Sequence, residues 1–228
     1  KPLLHLLDKP MILWVAEIAA KAVGRENVFI ATDDVRISNL VSKEGYKYIF
    51  TSQLALTGTD RVAEASLQLN YDIIINVQGD EPLISPVDIQ ECIHQKSKFP
   101  QYIINSYNLI TPKENKNSKN IPKVVINESD ILLYISRSLI PGFKLSNYDF
   151  SEYKKQVCIY GYSKKELEAF LSFGRKSELE KYEDIEILRF FELGYSIKMF
   201  KSISDSLAVD VKEDIPQVEK LLSNRNKL

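Results

Sequence analysis

The chain has 228 residues, of which 44% are apolar and 27% charged, and 30 basic and 31 acidic side chains leave a formal net charge of −1. This length is sufficient for one large domain with a substantial core. The balanced charge gives no general attraction to nucleic acid or to an anionic membrane surface. Two cysteines are too few for a disulfide framework, and no apolar run reaches the roughly 18 residues that span a bilayer, so we expect a cytoplasmic protein without membrane insertion.

Apolar periodicity predicts helices and strands that alternate along the first half of the chain. The predicted elements are a helix over 9–24, a strand over 27–34, a helix over 36–46, a strand over 46–52, a helix over 59–69, a strand over 71–80 and a helix over 85–99. Ser85 is the expected N-cap of the last helix, with Pro86 at its first position. This alternation predicts a doubly wound, mainly parallel α/β sheet, which binds ligands beyond the carboxyl ends of its strands.

The pattern changes after residue 100. A strand over 101–110 precedes a polar segment over 111–122 that predicts an exposed loop. The stretch 122–141 fits either two strands or a strand and a short helix, joined by a turn at 127–130. The remaining predicted elements are a strand over 155–163, helices over 164–174 and 182–194 that each end in glycine, a strand over 196–202 and a helix over 211–228. We treat 1–228 as a single domain, with a subregion at about 101–162.

Acidic residues stand where the apolar part of two predicted strands ends. Asp33 and Asp34 end the strand over 27–34, and Asp80 and Glu81 come soon after the apolar run IIINV. These positions lie at the edge where such sheets bind ligands. Asp80 also follows Gly79, which permits a close approach of the backbone. Because an aspartate after a strand is more often a helix cap or a turn residue, the position by itself leaves both interpretations open.

Five motifs resemble, in order, those of the 3-deoxy-manno-octulosonate cytidylyltransferase family, the CMP-Kdo synthetases. They are GTDRVAEA at 58–65, NVQGDEPLI at 76–84, ISRSLIP at 135–141, IYGY at 159–162 and VDVKED at 209–214. The resemblance implies a Rossmann-like nucleotidyltransferase fold. It also implies an enzyme that joins CTP to a 2-keto-3-deoxy sugar acid for lipopolysaccharide or surface-polysaccharide biosynthesis. A homodimer, with its contact in the middle segment, is implied as well.

Phosphate chemistry gives the acidic residues a role. Attack of a sugar hydroxyl on the α-phosphate of CTP adds negative charge to a centre that is already negative, so catalysis depends on positioning and on cations. Mg²⁺, the metal that the resemblance implies, typically binds one or two carboxylates together with substrate phosphates. We expect Asp80 and Asp210 to bind it, with Lys1 as a further catalytic residue. Glu81 is expected to support the site, and a solvated carboxylate or a salt-bridge partner is the alternative.

The remaining motif residues are expected to bind the two substrates. By resemblance, the segment 57–61 recognises the cytosine nucleotide, and short polar side chains beside a glycine suit the edge of a pyrimidine. The alternative for this segment is a helix N-cap formed by Thr59 or Asp60. The predicted nucleotide set is Thr57, Gly58, Thr59, Asp60, Arg61, Gln78 and Gly79, and the predicted sugar set is Ser136, Arg137, Gln156, Tyr160, Glu186 and Arg189.

Three of the sugar residues have stated alternatives. Arg137 is expected to bind the carboxylate of the sugar acid, because a planar guanidinium is the usual bidentate partner of a carboxylate. A surface arginine is the alternative. Glu186 and Arg189 match a Glu-x-x-Arg pair of the family on one predicted helical face, and the alternative is an ordinary i,i+3 ion pair. Asn120 and Lys123 correspond to a further Asn-x-x-Lys stretch of the family.

Some positions depart from the family pattern. Gln156 and Lys181 stand where the family usually carries histidines in the sugar half of the site, which leaves an amino or otherwise altered octulosonate open as the substrate. The family's first strand and its basic phosphate loop would precede Lys1. We therefore expect either a fragment of a longer chain or a degraded paralogue, with a sheet that lacks a central strand. A nonulosonate cytidylyltransferase and a non-catalytic nucleotide-binding paralogue are the alternative functions.

Overall fold

The computed structural model describes residues 1–112, 114–144, 152–204, 207–209 and 212–225. The strands within these ranges are β1 (His5–Leu6), β2 (Lys9–Pro10), β3 (Phe29–Thr32), β4 (Lys47–Phe50), β5 (Ile73–Val77), β6 (Ile103–Leu109), β7 (Lys123–Ile126), β8 (Leu132–Ser136), β9 (Lys154–Ser163) and β10 (Ile197–Lys201). The α-helices are α1 (Met11–Val23), α2 (Val35–Lys43), α3 (Gly58–Ser66), α4 (Pro86–Lys98), α5 (Lys164–Ser172), α6 (Glu178–Glu183), α7 (Leu188–Glu192) and α8 (Ile215–Arg225). None of these helices is both long and apolar enough to cross a membrane.

The central sheet has six strands. Its order is β10–β6–β9–β7–β8, and β5 also pairs with β9. Strands β5 and β6 both run antiparallel to β9, whereas β10 runs parallel to β6. The predicted α/β class is confirmed, but the sheet is mixed rather than mainly parallel. The reason is that β9, from the second half of the chain, inserts between β5 and β6, which have the same direction.

Strands β3 and β4 form a parallel pair of their own. Among the described strands, neither of them pairs with β5. A cavity of about 920 Å³ lies between β3 and β5 and is also lined by residues of α1 and α3. Among the described strands, the sheet is thus interrupted between β3 and β5, where this cavity lies.

Helix starts follow local capping chemistry. Ser85 caps α4 by accepting the Val87 N–H at 3.2 Å, and Pro86 is the first helical residue, as predicted. For α3 the predicted cap, Thr59 or Asp60, was wrong. The cap is Thr57, whose hydroxyl oxygen accepts the Asp60 N–H at 3.2 Å. Thr57 has the extended backbone that an N-cap needs, whereas Gly58 and the residues after it are already helical.

The single helix predicted over 182–194 is wrong. The chain forms α6 and α7 there, and Asp184 interrupts them in the left-handed region with φ 50°. Aspartate tolerates this conformation better than most residues, since its short side chain bonds locally. Glu186 consequently lies in the turn before α7. Glu186 and Arg189 therefore do not share the helical face on which the sequence prediction placed them.

The middle of the chain settles the alternative left open for 122–141. Strands β7 and β8 pair antiparallel, so this stretch contains two strands. The described residues of 111–122 form neither helix nor strand, as predicted. The largest apolar cluster packs β6 to β10 against α5 and α7, and includes the stacked rings of Tyr160, Tyr162 and Phe190. This cluster packs the 184–189 turn against the sheet.

Candidate functional site

The cavity between β3 and β5 gathers about half of the predicted site. The predicted residues that line it are Lys1, Gly58, Arg61, Gln78, Gly79, Asp80 and Glu186. Asp33 and Asp34 line it as well. The carboxyl ends of β3 and β5 and the start of α3 therefore meet at one cavity, which is the arrangement that the strand-end positions predicted.

Asp80 has one carboxylate oxygen paired and one without a partner. The Lys1 Nζ donates to Oδ2 at 2.8 Å. The Oδ1 atom is buried and has no hydrogen-bond partner in the part of the chain that the structure describes. Because an unsatisfied buried acceptor is costly, this oxygen is suited to a hard cation.

The carboxylate of Asp80 fits a Mg²⁺ site that is completed by water and substrate phosphates. No group of three or more His, Cys, Asp or Glu side chains that could hold a metal occurs among the described residues. Mg²⁺ does not require such a group, since it usually takes one or two carboxylates and completes its shell with water and substrate phosphates. Asp80 could supply one of these carboxylates.

Asp210, the second predicted metal ligand, lies outside the described residues. Its neighbour Val209 is described, and the Val209 N–H donates to the backbone carbonyl of Asp80 at 3.0 Å. The segment that leads to Asp210 therefore contacts the segment that carries Asp80. A shared ion between the two carboxylates stays a prediction.

Glu81 is buried and does not line the cavity. Glu81 is only 4% exposed, so the alternative of a solvated carboxylate is wrong. The Oε1 atom accepts the Cys158 N–H at 3.4 Å, and the Gln78 N–H donates to the Cys158 carbonyl at 3.4 Å. Both contacts attach the segment after β5 to β9, which agrees with a supporting role for Glu81.

A carboxylate from the turn before α7 binds the start of α3. Glu186 accepts the Gly58 N–H at 3.0 Å, and it also accepts both the N–H, at 2.7 Å, and the hydroxyl of Thr59. A carboxylate is stabilised at a helix N-terminus, where N–H groups lack partners. Burial raises the pKa of Glu186 above its ordinary value, although these hydrogen bonds oppose the rise. A Cβ at Gly58 would lie 3.4 Å from Glu186 Oε1, which is an ordinary van der Waals contact, so this contact does not require glycine.

Arg189 binds the first turn of α3 through Asp60. It is 0% exposed, and its guanidinium donates to Asp60 Oδ1 at 2.7 Å and Oδ2 at 3.1 Å. Its Nε and Nη2 atoms donate to the carboxylate of Glu180 at 2.8 and 2.7 Å. The alternative of an ion pair with Glu186 is therefore wrong, because Arg189 is paired with these two buried carboxylates. Thr57, the α3 cap, also donates its hydroxyl to Asp60 Oδ2 at 2.6 Å.

Ser136 and Arg137 do not line the cavity. The Ser136 hydroxyl donates to Glu183 Oε1 at 2.6 Å. The guanidinium of Arg137 donates through Nε, Nη1 and Nη2 to the carbonyls of Glu183, Lys119 and Asp184, at 2.6, 2.7 and 2.9 Å. All three nitrogens of the predicted carboxylate receptor are thus engaged by backbone oxygens.

Gln156 and Tyr160 are buried and also do not line the cavity. The Gln156 side-chain amide donates to Asn105 Oδ1 at 3.0 Å, at a register irregularity of β6. The ring of Tyr160 stacks on Tyr162 with ring centroids 6.0 Å apart. The described contacts of both residues are internal to the sheet, and their roles in sugar binding stay predictions.

Lys123 is fully buried in a cage of carbonyls. Its Nζ donates to the carbonyl oxygens of Ser118 and Ile121 at 2.8 Å each, and to that of Arg137 at 2.5 Å. Three acceptors satisfy the three donors of an ammonium group. Lys123 therefore joins the 111–122 loop to the end of β8.

Two further residues from the sequence analysis lie at the surface. Asn120 is exposed in the 111–122 loop, and Lys181 is exposed on α6. The Lys181 Nζ pairs with Glu178 at 2.8 Å. Neither residue lines the cavity.

Sequence reasoning missed an ion pair between the end of β3 and α3 at the cavity. Asp33 Oδ1 and Arg61 Nη1 lie 3.2 Å apart, joining the end of β3 to the first turn of α3. Both residues were visible in the motifs ATDD and GTDR, at a strand end and a helix start. No sequence pattern showed that these two positions face each other.

Comparison with known proteins agrees with this architecture. The family model described as Cytidylyltransferase matches residues 1–203. An 8-amino-3,8-dideoxy-manno-octulosonate cytidylyltransferase of Shewanella pealeana is 40% identical over 224 residues, which cover 94% of this chain and 89% of that protein. The enzyme of the same description from Shewanella baltica is 38% identical over 231 residues, which cover 98% and 92% of the two chains.

Solved structures give the same result. The structure of CMP:2-keto-3-deoxy-manno-octonic acid synthetase complexed with CTP matches with a TM-score of 0.88 and 33% identity, covering 99% of this chain and 92% of that one. The inositol-1-phosphate CTP transferase from T. maritima matches with a TM-score of 0.68 and 14% identity, covering 98% and 86%, and shows the fold alone. The resemblance expected from the sequence motifs is confirmed. The chain belongs to the cytidylyltransferase family, in the branch of the octulosonate enzymes.

Proposed function

We propose that this protein transfers the cytidylyl group of CTP to the anomeric hydroxyl of a 2-keto-3-deoxy sugar acid, giving a CMP-sugar and pyrophosphate. The observation that carries the proposal is the buried Oδ1 of Asp80, which has no hydrogen-bond partner among the described residues and lies at a cavity that also receives Lys1 and the start of α3.

The roles of the chain's own residues follow from their contacts. Asp80 would hold Mg²⁺ together with Asp210, and the ion, when bound, supplies cationic stabilisation of the phosphate oxygens. The ammonium group of Lys1, already at 2.8 Å from Asp80, adds a second positive charge at the same place. Glu186 and Arg189 hold the backbone of 58–60 in a fixed position, so that this segment meets the nucleotide without reorganisation.

The sugar acid is proposed to be 8-amino-3,8-dideoxy-manno-octulosonate. This is the sugar in the printed descriptions of the two Shewanella relatives, at 40% and 38% identity. The residues Gln156 and Lys181, at positions where the family usually has histidine, leave an altered octulosonate open. The hydroxyl form of the sugar, Kdo, and a nonulosonate are the competing substrates.

A pyrophosphate-release assay on the complete natural protein tests both proposals. CTP and Mg²⁺ are supplied with the 8-amino sugar acid, with Kdo, with a nonulosonate or with no sugar acid. We expect release with an octulosonate, fastest with the 8-amino form, and loss of release when the metal is chelated. If CTP raises the melting temperature but no sugar acid gives pyrophosphate, the protein is a non-catalytic nucleotide-binding paralogue.

We further propose a cytoplasmic homodimer whose product enters lipopolysaccharide or surface-polysaccharide synthesis. The dimer contact is proposed for the segment at about 122–160, which contains the β7–β8 hairpin. Leu133 on β8 is 57% exposed and lies in this segment, so its replacement tests the contact without disturbing the core. Light scattering of the unaltered chain and of Leu133→Lys measures the assembly, and a monomeric unaltered protein would contradict the proposal.

A further inference from the structure

Asp88 is a buried carboxylate in the first turn of α4, and it is 1% exposed. It binds residues 202–204, which directly follow β10. Its Oδ1 atom accepts the Ile203 N–H at 2.8 Å. Its Oδ2 atom accepts the Ser202 hydroxyl at 2.8 Å, the Ser204 N–H at 3.1 Å and the Ser204 hydroxyl. One short segment after β10 thus engages both oxygens of this carboxylate.

Strand β6 holds the same segment at its two ends. The Ser202 N–H donates to the Tyr107 carbonyl at 2.8 Å, and the Asn108 side-chain amide donates to the Ser204 carbonyl at 2.8 Å. Neither contact satisfies the two N–H groups that donate to Asp88. Both serines are buried, and a buried N–H group without an acceptor is costly. Asp88 therefore supplies what β6 cannot supply to this segment.

Asp88 also stands close to Asp80 in the chain, which it follows by eight positions. Beyond the segment that Asp88 holds, the Val209 N–H donates to the Asp80 carbonyl at 3.0 Å. Val209 and Leu83 belong to one buried apolar cluster. The chain that leads to Asp210 is therefore attached first at Asp88 and again at Asp80.

We propose that Asp88 is a positioning residue for the metal site, because it holds 202–204 so that the chain leading to Asp210 stays docked on Asp80. The inference rests on the proposed function, in which Asp80 and Asp210 share Mg²⁺. Asp88 does not line the cavity, and both of its oxygens are engaged. Its contribution is therefore position and not coordination of the ion.

Amide hydrogen exchange of the metal-free protein measures this docking without turnover. Asp88→Asn replaces one acceptor oxygen by an NH₂ donor, which cannot accept the N–H groups of the held segment. We expect the Val209 N–H to exchange about tenfold faster relative to the slowest amides of the central sheet, because a local opening exposes it without unfolding the rest. An unchanged ratio overturns the proposal.

Glu166→Gln is the matched control for general loss of stability. Glu166 is also a buried carboxylate, and it accepts the Nζ of Lys96, on α4, at 2.7 and 2.8 Å and the Ser163 N–H at 2.6 Å. The change from carboxylate to amide is the same, but these partners lie outside the segments of Asp80 and Val209. The exchange ratio should therefore stay unchanged. An equal shift of this ratio in both variants overturns the proposal.

The Mg²⁺ dependence of pyrophosphate release in the complete natural protein links the docking to the metal. We expect Asp88→Asn to raise the half-maximal Mg²⁺ concentration about tenfold, as loss of an outer partner of a metal site does. The KM for CTP at saturating Mg²⁺ should not change. An unchanged Mg²⁺ dependence overturns the proposal. If the unaltered protein releases no pyrophosphate, the proposed function fails, and the exchange ratio alone decides whether Asp88 docks the segment.

The serine hydroxyls allow a milder test. The double change Ser202→Ala and Ser204→Ala keeps the carboxylate and its backbone donors but removes both hydroxyl donors. We expect the exchange ratio and the half-maximal Mg²⁺ concentration to shift in the same direction as for Asp88→Asn, by a smaller factor. Melting curves verify the fold of each variant, and the double change replaces Asp88→Asn if that variant does not fold. A double change that alters neither quantity overturns the proposal.

Discussion

Arg189 and Asp60 are 129 positions apart in the chain, yet the guanidinium of one donates to both carboxylate oxygens of the other. The pair is fully enclosed, and Glu180 supplies the second carboxylate. Together with Glu186, Arg189 attaches the turn before α7 to the first turn of α3. One short segment of the second half of the chain thus determines where the segment 58–60 lies.

Arg189→Met should destabilise the fold strongly. Removal of the guanidinium leaves Asp60 and Glu180 buried without their cation, and breaking a buried pair in this way costs about 3 to 5 kcal/mol of the free energy of unfolding. Urea unfolding measures the loss. Arg175→Met, at an exposed arginine, is the control and should stay within about 0.5 kcal/mol of the unaltered protein. Equal effects of the two changes would contradict the importance of the buried pair.

Asp80→Asn should abolish Mg²⁺-dependent pyrophosphate release in the complete natural protein. The change keeps the size of the side chain but removes the charge that holds a cation, and stability should change by no more than about 1 to 2 kcal/mol. Pyrophosphate assay and thermal unfolding check the two parts. Asp72→Asn, at an exposed aspartate before β5, should keep its activity. Turnover near that of the unaltered protein would remove Asp80 from the mechanism.

Glu186 predicts a specific pH dependence of stability. Burial raises its pKa in the folded state, so the folded protein binds this proton more tightly than the unfolded chain does. The resulting stabilisation is present below the ordinary glutamate pKa, about 4.3, and is lost as the pH rises through the raised value. The free energy of unfolding of the unaltered protein, relative to that of Glu186→Gln, should therefore decrease as the pH rises. A difference that grows with pH would show a lowered pKa instead.

Gly161→Ala should destabilise the contact between β9 and α4. A Cβ at this position would lie 3.1 Å from Cys92 Sγ and 3.3 Å from Ile104 Cβ. Overpacking of a core in this way costs about 1 to 3 kcal/mol. Chemical unfolding measures the loss, and the double change with Cys92→Ala should recover part of it. Gly142→Ala is the control, because a Cβ there meets no described atom within 4 Å.

Local patterns predicted the elements that depend on local interactions. The capping of α4 by Ser85, the hairpin turn at 127–130 and the alternation of helices and strands each depend on residues a few positions apart. Prediction failed at Asp184, where one residue in the left-handed region divides an apolar pattern that reads as a single helix. It also failed for the cap of α3, because Thr57, Thr59 and Asp60 are all suitable cap residues and only the backbone conformation selects among them.

The sequence alone determined the α/β class, the placement of Asp80 at a strand end and the family, because periodicity and ordered motifs are properties of neighbouring residues. Only the tertiary structure decided that β9 separates β5 from β6, that Arg137 is engaged by carbonyls and that Arg61 pairs with Asp33. These outcomes depend on which distant segments pack together. A buried charge takes whichever partner the packing brings within reach, since desolvation makes an unpaired one too costly.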